Sequence, residues 1–248
     1  MRRNILITGA SSGLGEGMAR QFAAKGHNLG LCARRAERLD RLKAELEGSY
    51  PGIVVVVREL DVNDHPQVFA VVREVSANLG GLDRVIVNAG VGKGAPVGGG
   101  NFEANRQTAQ TNFVGALAQC EAAMEIFRAA GEGHLVVVAS VQAVRGFPGT
   151  MTTYAASKAG VAALAEGIRC DVIGTPIKVT TVLPGYIRSE MTAGVKGAPF
   201  MVDNETGSRA LVEAIDKEVG TAAVPPWPWR FLAPVLRHAP LSLIRKMV

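Results

Sequence analysis

Residues 4–17 read NILITGASSGLGEG: an apolar run breaks at a glycine and passes through two serines into a helical pattern. In this position Gly9, Gly13 and Gly15 let the chain turn tightly, let backbone approach a bound group, and let the following helix pack closely on the strand. The helix N-terminus then presents free N–H groups and its positive dipole end to an anion such as a pyrophosphate. The spacing, Gly9-x3-Gly13-x-Gly15, departs from the common GxGxxG dinucleotide fingerprint. In a chain with 29 glycines a glycine cluster alone says little. Its place between a first strand and a first helix is what gives it meaning.

Working outward, short apolar runs recur at 27–33, 53–60, 82–88, 134–140 and 177–184, with a short candidate at 222–224. Helical spacing of apolar residues occupies 15–25, 35–47, 66–77, 101–130, 152–173 and 208–219. Strands apolar on both faces and separated by helices indicate a parallel sheet covered on both sides. The expectation is a single-domain, doubly wound α/β Rossmann fold with a mostly parallel sheet of six or seven strands. Residues 1–190 are expected to form its dinucleotide-binding core, with 186–207 a long loop and 208–248 a C-terminal extension of the same domain.

Composition narrows the class. At 248 residues, 48% hydrophobic and 20% charged, the chain has ample material for a core and is not disordered. Of 27 basic residues four lie in 219–248, a segment without Asp or Glu, which leaves 23 against 22 acidic residues elsewhere. The excess charge is therefore a C-terminal matter, and a broad nucleic-acid surface is excluded. Cys32, Cys120 and Cys170 lack CxxC spacing and fall in apolar stretches, which reads as buried reduced thiols and a cytoplasmic location. No run is long enough for a signal h-region or a membrane span. The four histidines show no ligand spacing, and no metal is expected.

Strand ends carry the remaining polar signals. The second strand ends Cys32-Ala33-Arg34-Arg35, with Ala where an acidic residue holds the ribose 2′-hydroxyl in an NAD site. Arginines there suit a 2′-phosphate through charge-assisted bonds. Arg34, the first residue past the strand, is preferred, with Arg35 the second candidate; the plain alternative is the solvated start of a helix. Asp61 closes the third strand, as a ligand contact or as a cap of the next helix. Asn88-Ala89-Gly90 closes the fourth. In TTYAASKAG (152–160), Tyr154 and Lys158 stand at i and i+4, on one helix face.

Together, TGASSGLG (8–15), Asp61, NAG (88–90), Asn112 in TNFVG, Ser140 at a strand end, YAASK (154–158) and PGYIRS (184–189) resemble the short-chain dehydrogenase/reductase (SDR) family in order and spacing across the first 190 residues. The resemblance implies an NADP(H)-preferring oxidoreductase acting on a carbonyl or secondary alcohol. Thr8, Gly9, Ser11, Ser12, Gly13, Leu14 and Gly15 would form the phosphate turn. Asp61 and Val62 would contact adenine, and Asn88, Ala89 and Gly90 would line the adenosine ribose. Asn112, Ser140, Tyr154 and Lys158 would be the catalytic set, with Tyr154 and Lys158 also touching cofactor. Pro184, Gly185, Ile187 and Ser189 would hold the nicotinamide end, Ser189 standing where the family usually has Thr. Ala139 and Val87 replace a frequent Ser and a frequent Asn, without touching a proton-transfer group. An unperturbed Tyr titrates at ~10, so a nearby cation such as Lys158 is expected to bring the phenol toward neutrality. Ser140 is expected to polarise the substrate oxygen, and Asn112 to hold a water near Lys158.

Substrate recognition falls to the later chain. Residues 186–207 read as a mobile lid, with Met191, Phe200 and Met201 towards an apolar pocket, beside Gln142, Phe147 and Tyr186. The tail from Ala222 holds both tryptophans and five of the twelve prolines. Its prolines interrupt a long amphipathic helix, so packing on the domain or an oligomer partner is preferred to contact with an anionic membrane. By family analogy, a homodimer or homotetramer is expected through the helices at 101–130 and 152–173. The leading function is NADP(H)-dependent reduction or oxidation of a fairly apolar small molecule, with 3-oxoacyl-thioester reduction as runner-up. Alternatives of another class are a non-catalytic dinucleotide-binding regulator and a membrane-surface protein.

Overall fold

Seven stretches of the chain pair as strands in the computed structural model, which describes residues 2–194 and 197–246. They are β1 (Asn4–Thr8), β2 (Asn28–Ala33), β3 (Val55–Glu59), β4 (Arg84–Val87), β5 (Gly133–Val138), β6 (Ile177–Pro184) and β7 (Thr221–Val224). The order is β3-β2-β1-β4-β5-β6-β7, and every pairing is parallel. The short run at 222–224 is thus a true edge strand, paired with β6 from Thr181↔Thr221 to Pro184↔Val224.

Helices α1 (Gly13–Ala24), α2 (Ala36–Ser49) and α7 (Asn204–Asp216) cover one face, and α3 (His65–Leu79), α5 (Gly115–Ala130) and α6 (Thr152–Asp171) the other. The strands supply both cores because successive side chains alternate. Leu6, Val85 and Val137 join one apolar cluster, while Ile7, Ile86 and Val136 join the other. Phe22 and Phe127 are the largest wholly buried side chains, one in each. Truncating either to Ala costs ~3–5 kcal/mol.

The switch of strand order falls between β1 and β4, which are paired from Ile5↔Arg84 to Ile7↔Ile86. Connections leave these two strands in opposite directions, so their carboxyl ends open a crevice. The helical stretch at 101–130 is not one regular helix. It comprises α4 (Phe102–Ala109), a π turn over Gln110–Val114, and α5. The widened turn centres on Asn112; such insertions frequently mark functional positions.

The tail also departs from expectation, forming α8 (Pro226–His238) and α9 (Leu241–Arg245). Pro228 opens the regular part of α8 after the extended Trp227, at a position where the missing N–H has no intrahelical partner in any case. Pro234 lies inside α8 and Trp227 leaves helical geometry, so the element is helical yet bent. Cys32 and Cys120 are buried, as expected, and burial pushes each thiol up to about 12. Cys170 is exposed instead, because α6 turns Val161 and Ala165 inward and Cys170 outward.

Candidate active site

Each wall of the crevice grows from a strand end. At β1, the Thr8 hydroxyl donates to the Ile86 carbonyl (3.3 Å) and accepts from the amides of Asn88 (3.0 Å) and Ala89 (3.1 Å). Asn88 Nδ2 returns a bond to the Thr8 carbonyl at 2.8 Å. Thr8 is fully buried and off the crevice surface; it stitches the two strand ends together. Gly9 and Gly13 adopt φ of +65° and +58°, which side-chain-bearing residues rarely tolerate. A Cβ at Gly15 would stand 2.7 Å from Asn88 Nδ2 and against the Gly9 carbonyl, so the helix can approach the strand only at glycine. α1 starts at Gly13 with extended Ser12 as its N-cap, and no side chain caps the helix. Gly9, Ser11, Ser12, Gly13 and Leu14 face the crevice. Uncapped N–H groups, two hydroxyls and a backbone cradle that a Cβ would fill fit a pyrophosphate.

Arg34 and Arg35 both line the crevice, but they are not equivalent. Arg34 is exposed and makes no side-chain hydrogen bond among the described residues. Arg35 donates to Ser11 Oγ (3.2 Å) and Ser12 Oγ (2.7 Å), so it is tied into the glycine turn. The same guanidinium donates to Glu190 at 3.0 Å, and Arg38 donates to the other Glu190 oxygen at 2.5 Å. These bonds hold the Glu190 carboxyl down at about 2, Arg38 first and Arg35 second. Glu190 and Arg38 carried no signal readable from the sequence, since their bonds span more than 150 positions.

Further along the same edge, Asp61 and Val62 line the crevice beside Asn63. Asp61 Oδ1 accepts from the Asn63 amide (3.0 Å) and from Asn63 Nδ2 (2.9 Å). The cap of α3 is Asp64, which accepts from Gln67 N at 3.1 Å, so Asp61 is not the helix cap. Asn88, Ala89 and Gly90 complete this wall.

Ser140, Tyr154 and Lys158 meet on the opposite wall. Ser140 follows β5 and opens a 3-10 turn, its Oγ accepting from the Gln142 amide at 3.1 Å. Tyr154 and Lys158 stand in the first turns of α6, among Ala155, Ala156 and Ser157, whose small side chains leave the helix close to the crevice. Burial pushes the Tyr154 hydroxyl up, and its hydrogen bond with Ser140 opposes that push. Burial lowers Lys158 to about 8. Its Nζ donates to the Val138 carbonyl at 2.8 Å. The expectation that Lys158 draws the phenol toward neutrality is not met, because desolvation of the buried phenol outweighs every other influence on it.

Asn112 is 1% exposed and lies behind the crevice wall. Its Oδ1 accepts from Val91 N (2.8 Å), while Nδ2 donates to Val91 O (2.9 Å) and Ser157 Oγ (3.3 Å). The amide thereby pins the π turn to the chain after β4. A Cβ on Gly90 would fall 3.1 Å from Asn112 Oδ1 and 3.5 Å from Lys158 Nζ, so Gly90 keeps the space between them open.

Pro184, Gly185, Ile187 and Ser189 line the far end. A Cβ at Gly185 would run into the Trp229 indole, so the tail forms part of this wall. Of the expected substrate contacts, Met191 faces the crevice, whereas Gln142, Phe147 and Tyr186 do not. Gln142 Nε2 meets Tyr186 Oη at 3.4 Å, and Tyr186 packs edge-on to Trp229 with centroids 5.8 Å apart. Phe147 is buried with Ala155 and Ile244, covered by the tail. Phe200 and Met201 also miss the crevice, and Phe200 leans on Trp229 at 6.2 Å. The two ends of the loop are tied to each other: Ile187 and Val202 form a bridge, and Arg188 N donates to Val202 O at 2.9 Å. Val195 and Lys196 of that loop, like Met1, Met247 and Val248, lie outside the described residues.

The histidines take no part in this site. His134 is wholly buried at the other end of the sheet, accepting from Arg84 Nε (2.9 Å) and facing Thr180 Oγ1 (2.9 Å). Burial holds it neutral, pushing it down to about 2.

Comparison with known proteins agrees with this geometry. The family model described as short chain dehydrogenase matches residues 3–198. An uncharacterised oxidoreductase of Mycobacterium tuberculosis is 55% identical over 245 residues, covering 99% of this chain and 97% of that one. Among solved structures, a short-chain dehydrogenase from Sphingobium yanoikuyae in complex with NADPH superposes with a TM-score of 0.82 at 28% identity, covering 97% and 94% of the two chains. A short-chain dehydrogenase/reductase from Burkholderia phymatum in complex with NAD superposes at 0.84 with 21% identity, covering 98% and 95%.

Proposed function

The chain belongs to the short-chain dehydrogenase/reductase family of oxidoreductases, and from that premise we propose a specific reaction. It transfers hydride between a nicotinamide dinucleotide, NADP(H) in preference to NAD(H), and the carbonyl or secondary alcohol of an apolar small molecule. The observation carrying this reading is the meeting of Ser140, Tyr154 and Lys158 on one wall of a crevice whose other wall is the glycine turn.

Bound in the crevice, the nicotinamide supplies or accepts the hydride. The open N-terminus of α1 with Ser11 and Ser12 would hold the pyrophosphate, and Arg35, with Arg34 beside it, would hold a 2′-phosphate. Ser140 donates to the substrate oxygen and polarises the carbonyl. Tyr154, kept protonated by burial, donates its proton as negative charge forms on that oxygen. The Lys158 ammonium balances the phenolate left behind. A water in the space that Gly90 keeps open, between Asn112 Oδ1 and Lys158 Nζ, hands the next proton inward. An intact set of these groups argues against a non-catalytic regulator, which has no use for a proton donor.

The test is NADPH oxidation, followed by nicotinamide absorbance, over aldehydes and ketones of graded chain length. Turnover is expected to rise with chain length and to vanish in Tyr154→Phe while NADPH still binds. Turnover retained by that variant overturns the catalytic assignment, and equal rates on short polar and long apolar carbonyls overturn the substrate class.

A further inference from the structure

The tail presents two faces. Inward, α8 buries Pro228, Trp229 and Ala233, and the Arg145 guanidinium donates to the Leu236 carbonyl at 2.9 Å. Outward, Trp227, Phe231 and Val235 recur at four-residue intervals and are 73%, 62% and 63% exposed. Leu241 and Leu243 of α9 are exposed as well, at 74% and 50%. The Trp227 and Phe231 rings pack edge-on with centroids 5.8 Å apart, so these two side chains form one exposed aromatic ridge. The exposed polar residues between Pro226 and Lys246 are Arg230, Arg237, Arg245, Lys246, His238 and Ser242, with no carboxylate among them.

We propose that this face docks on an anionic lipid surface, with Trp227 and Phe231 entering the interface and the four cations facing lipid phosphates. A contiguous ridge of exposed aromatic and aliphatic side chains is a marker of an interaction site rather than ordinary surface. Aromatic residues settle at the boundary between headgroups and acyl chains, and basic residues beside them are drawn to negative lipid. A second copy of the chain is the poorer occupant. A two-fold contact centred on this face would bring these cations close to their own copies, and the segment holds no acid to pair them. Contact lies in the membrane plane: no helix among the described residues is long and apolar enough to cross, and Ala239 and Pro240 separate α8 from α9. Trp229, on the reverse of α8, abuts Gly185 at the far end of the crevice. On the reading of function given above, docking would place the substrate end beside the bilayer; the docking itself stands without that reading.

The experiment is co-sedimentation of the full chain with phosphatidylcholine vesicles and with vesicles that also contain phosphatidylglycerol. Sedimentation is expected only with the anionic vesicles and is expected to weaken with added salt. Arg237→Gln with Arg245→Gln should lower partitioning about 30-fold, at roughly fivefold per cation removed. Trp227→Ser with Phe231→Ser, both on the exposed face, should abolish binding while circular dichroism is unchanged. Trp229 is buried, so a blue shift of tryptophan emission on binding reports Trp227 and should vanish in Trp227→Phe. Equal partitioning on neutral and anionic vesicles, or binding indifferent to the charge variant, overturns the proposal. So does an oligomer that the Trp227/Phe231 variant dissociates without vesicles, which would give the face to a second copy. None of these readouts depends on turnover.

Discussion

Replacing Arg35 by Ala separates a 2′-phosphate role from a merely structural one. Its guanidinium reaches two hydroxyls of the glycine turn, at 3.2 and 2.7 Å, and so stands over the start of α1. Hydrogen bonds to a charged partner contribute ~1.5–3 kcal/mol, and a planar fork can make two. At about 1.4 kcal/mol per tenfold, NADPH affinity should fall on the order of 10- to 100-fold. NADH has no 2′-phosphate and loses only what the part-exposed Arg–Ser bonds give the turn, ~1 kcal/mol or about fivefold. Arg34→Ala should cost NADPH less, because Arg34 is exposed and unanchored. Glu190 sharpens the test: its carboxylate holds the same guanidinium, so Glu190→Gln should tighten NADPH and leave NADH nearly unchanged. Titration by nicotinamide fluorescence measures NADPH and NADH binding in all three variants. Equal losses of NADPH and NADH in Arg35→Ala refute the reasoning, and a selective loss in Arg34→Ala alone moves the role one residue back.

Lys158 links charge to stability. Its folded value is lowered from 10.5 to about 8, so between these limits the unfolded chain binds the extra proton, and stability should rise with pH across that window. The whole effect is about 3 kcal/mol, and urea melts at pH 8 and 10 should show a slope that Lys158→Met removes. Burial raises Tyr154, so alcohol oxidation, which needs the phenolate, should climb from neutral pH to pH 10 while carbonyl reduction stays flat; an oxidation optimum below neutrality contradicts this. Gly15→Ala drives a Cβ against the Gly9 carbonyl and to 2.7 Å from Asn88 Nδ2, which should cost about 1–3 kcal/mol in a thermal melt and abolish dinucleotide binding. A variant that melts and binds normally would mean that the turn has slack the geometry denies.

What could be read from the sequence is what depends on local chain geometry. Strands bounded by a chemically distinctive residue at the carboxyl end, such as Thr8, Asp61, Asn88 and Ser140, report both the sheet and the edge where ligand binds. An i, i+4 pair reports a shared helix face, which is why Tyr154 and Lys158 were legible together. Tertiary reach was not legible. Arg34 and Arg35 differ only by the direction the chain takes leaving β2, where Arg35 turns across the glycine loop at φ −97°, ψ 82°. The Glu190 clasp and the burial of Phe147 under the tail join positions far apart in sequence. Prolines misled the reading of the tail because their cost depends on position. Trp227 leaves helical geometry directly after Pro226, and Pro234 is accommodated inside α8 without ending it.

The tail and the clasp bear on one segment from its two ends. Glu190 draws the residues after Gly185 toward Arg35 and Arg38, across the mouth of the crevice. Near the other end, Phe200 leans on Trp229, whose indole fills the space a side chain on Gly185 would need. The segment is therefore held at one anchor by Arg35 and Arg38 beside the glycine turn, and at the other by the helix that bears the exposed apolar ridge. A charge at the 2′ position competes for the first anchor, and anything that shifts α8 strains the second. On the function and the docking proposed above, the segment carrying Glu190 and Phe200 would link cofactor choice to the outer face of the tail, since a change at either anchor would act on the same short stretch of backbone.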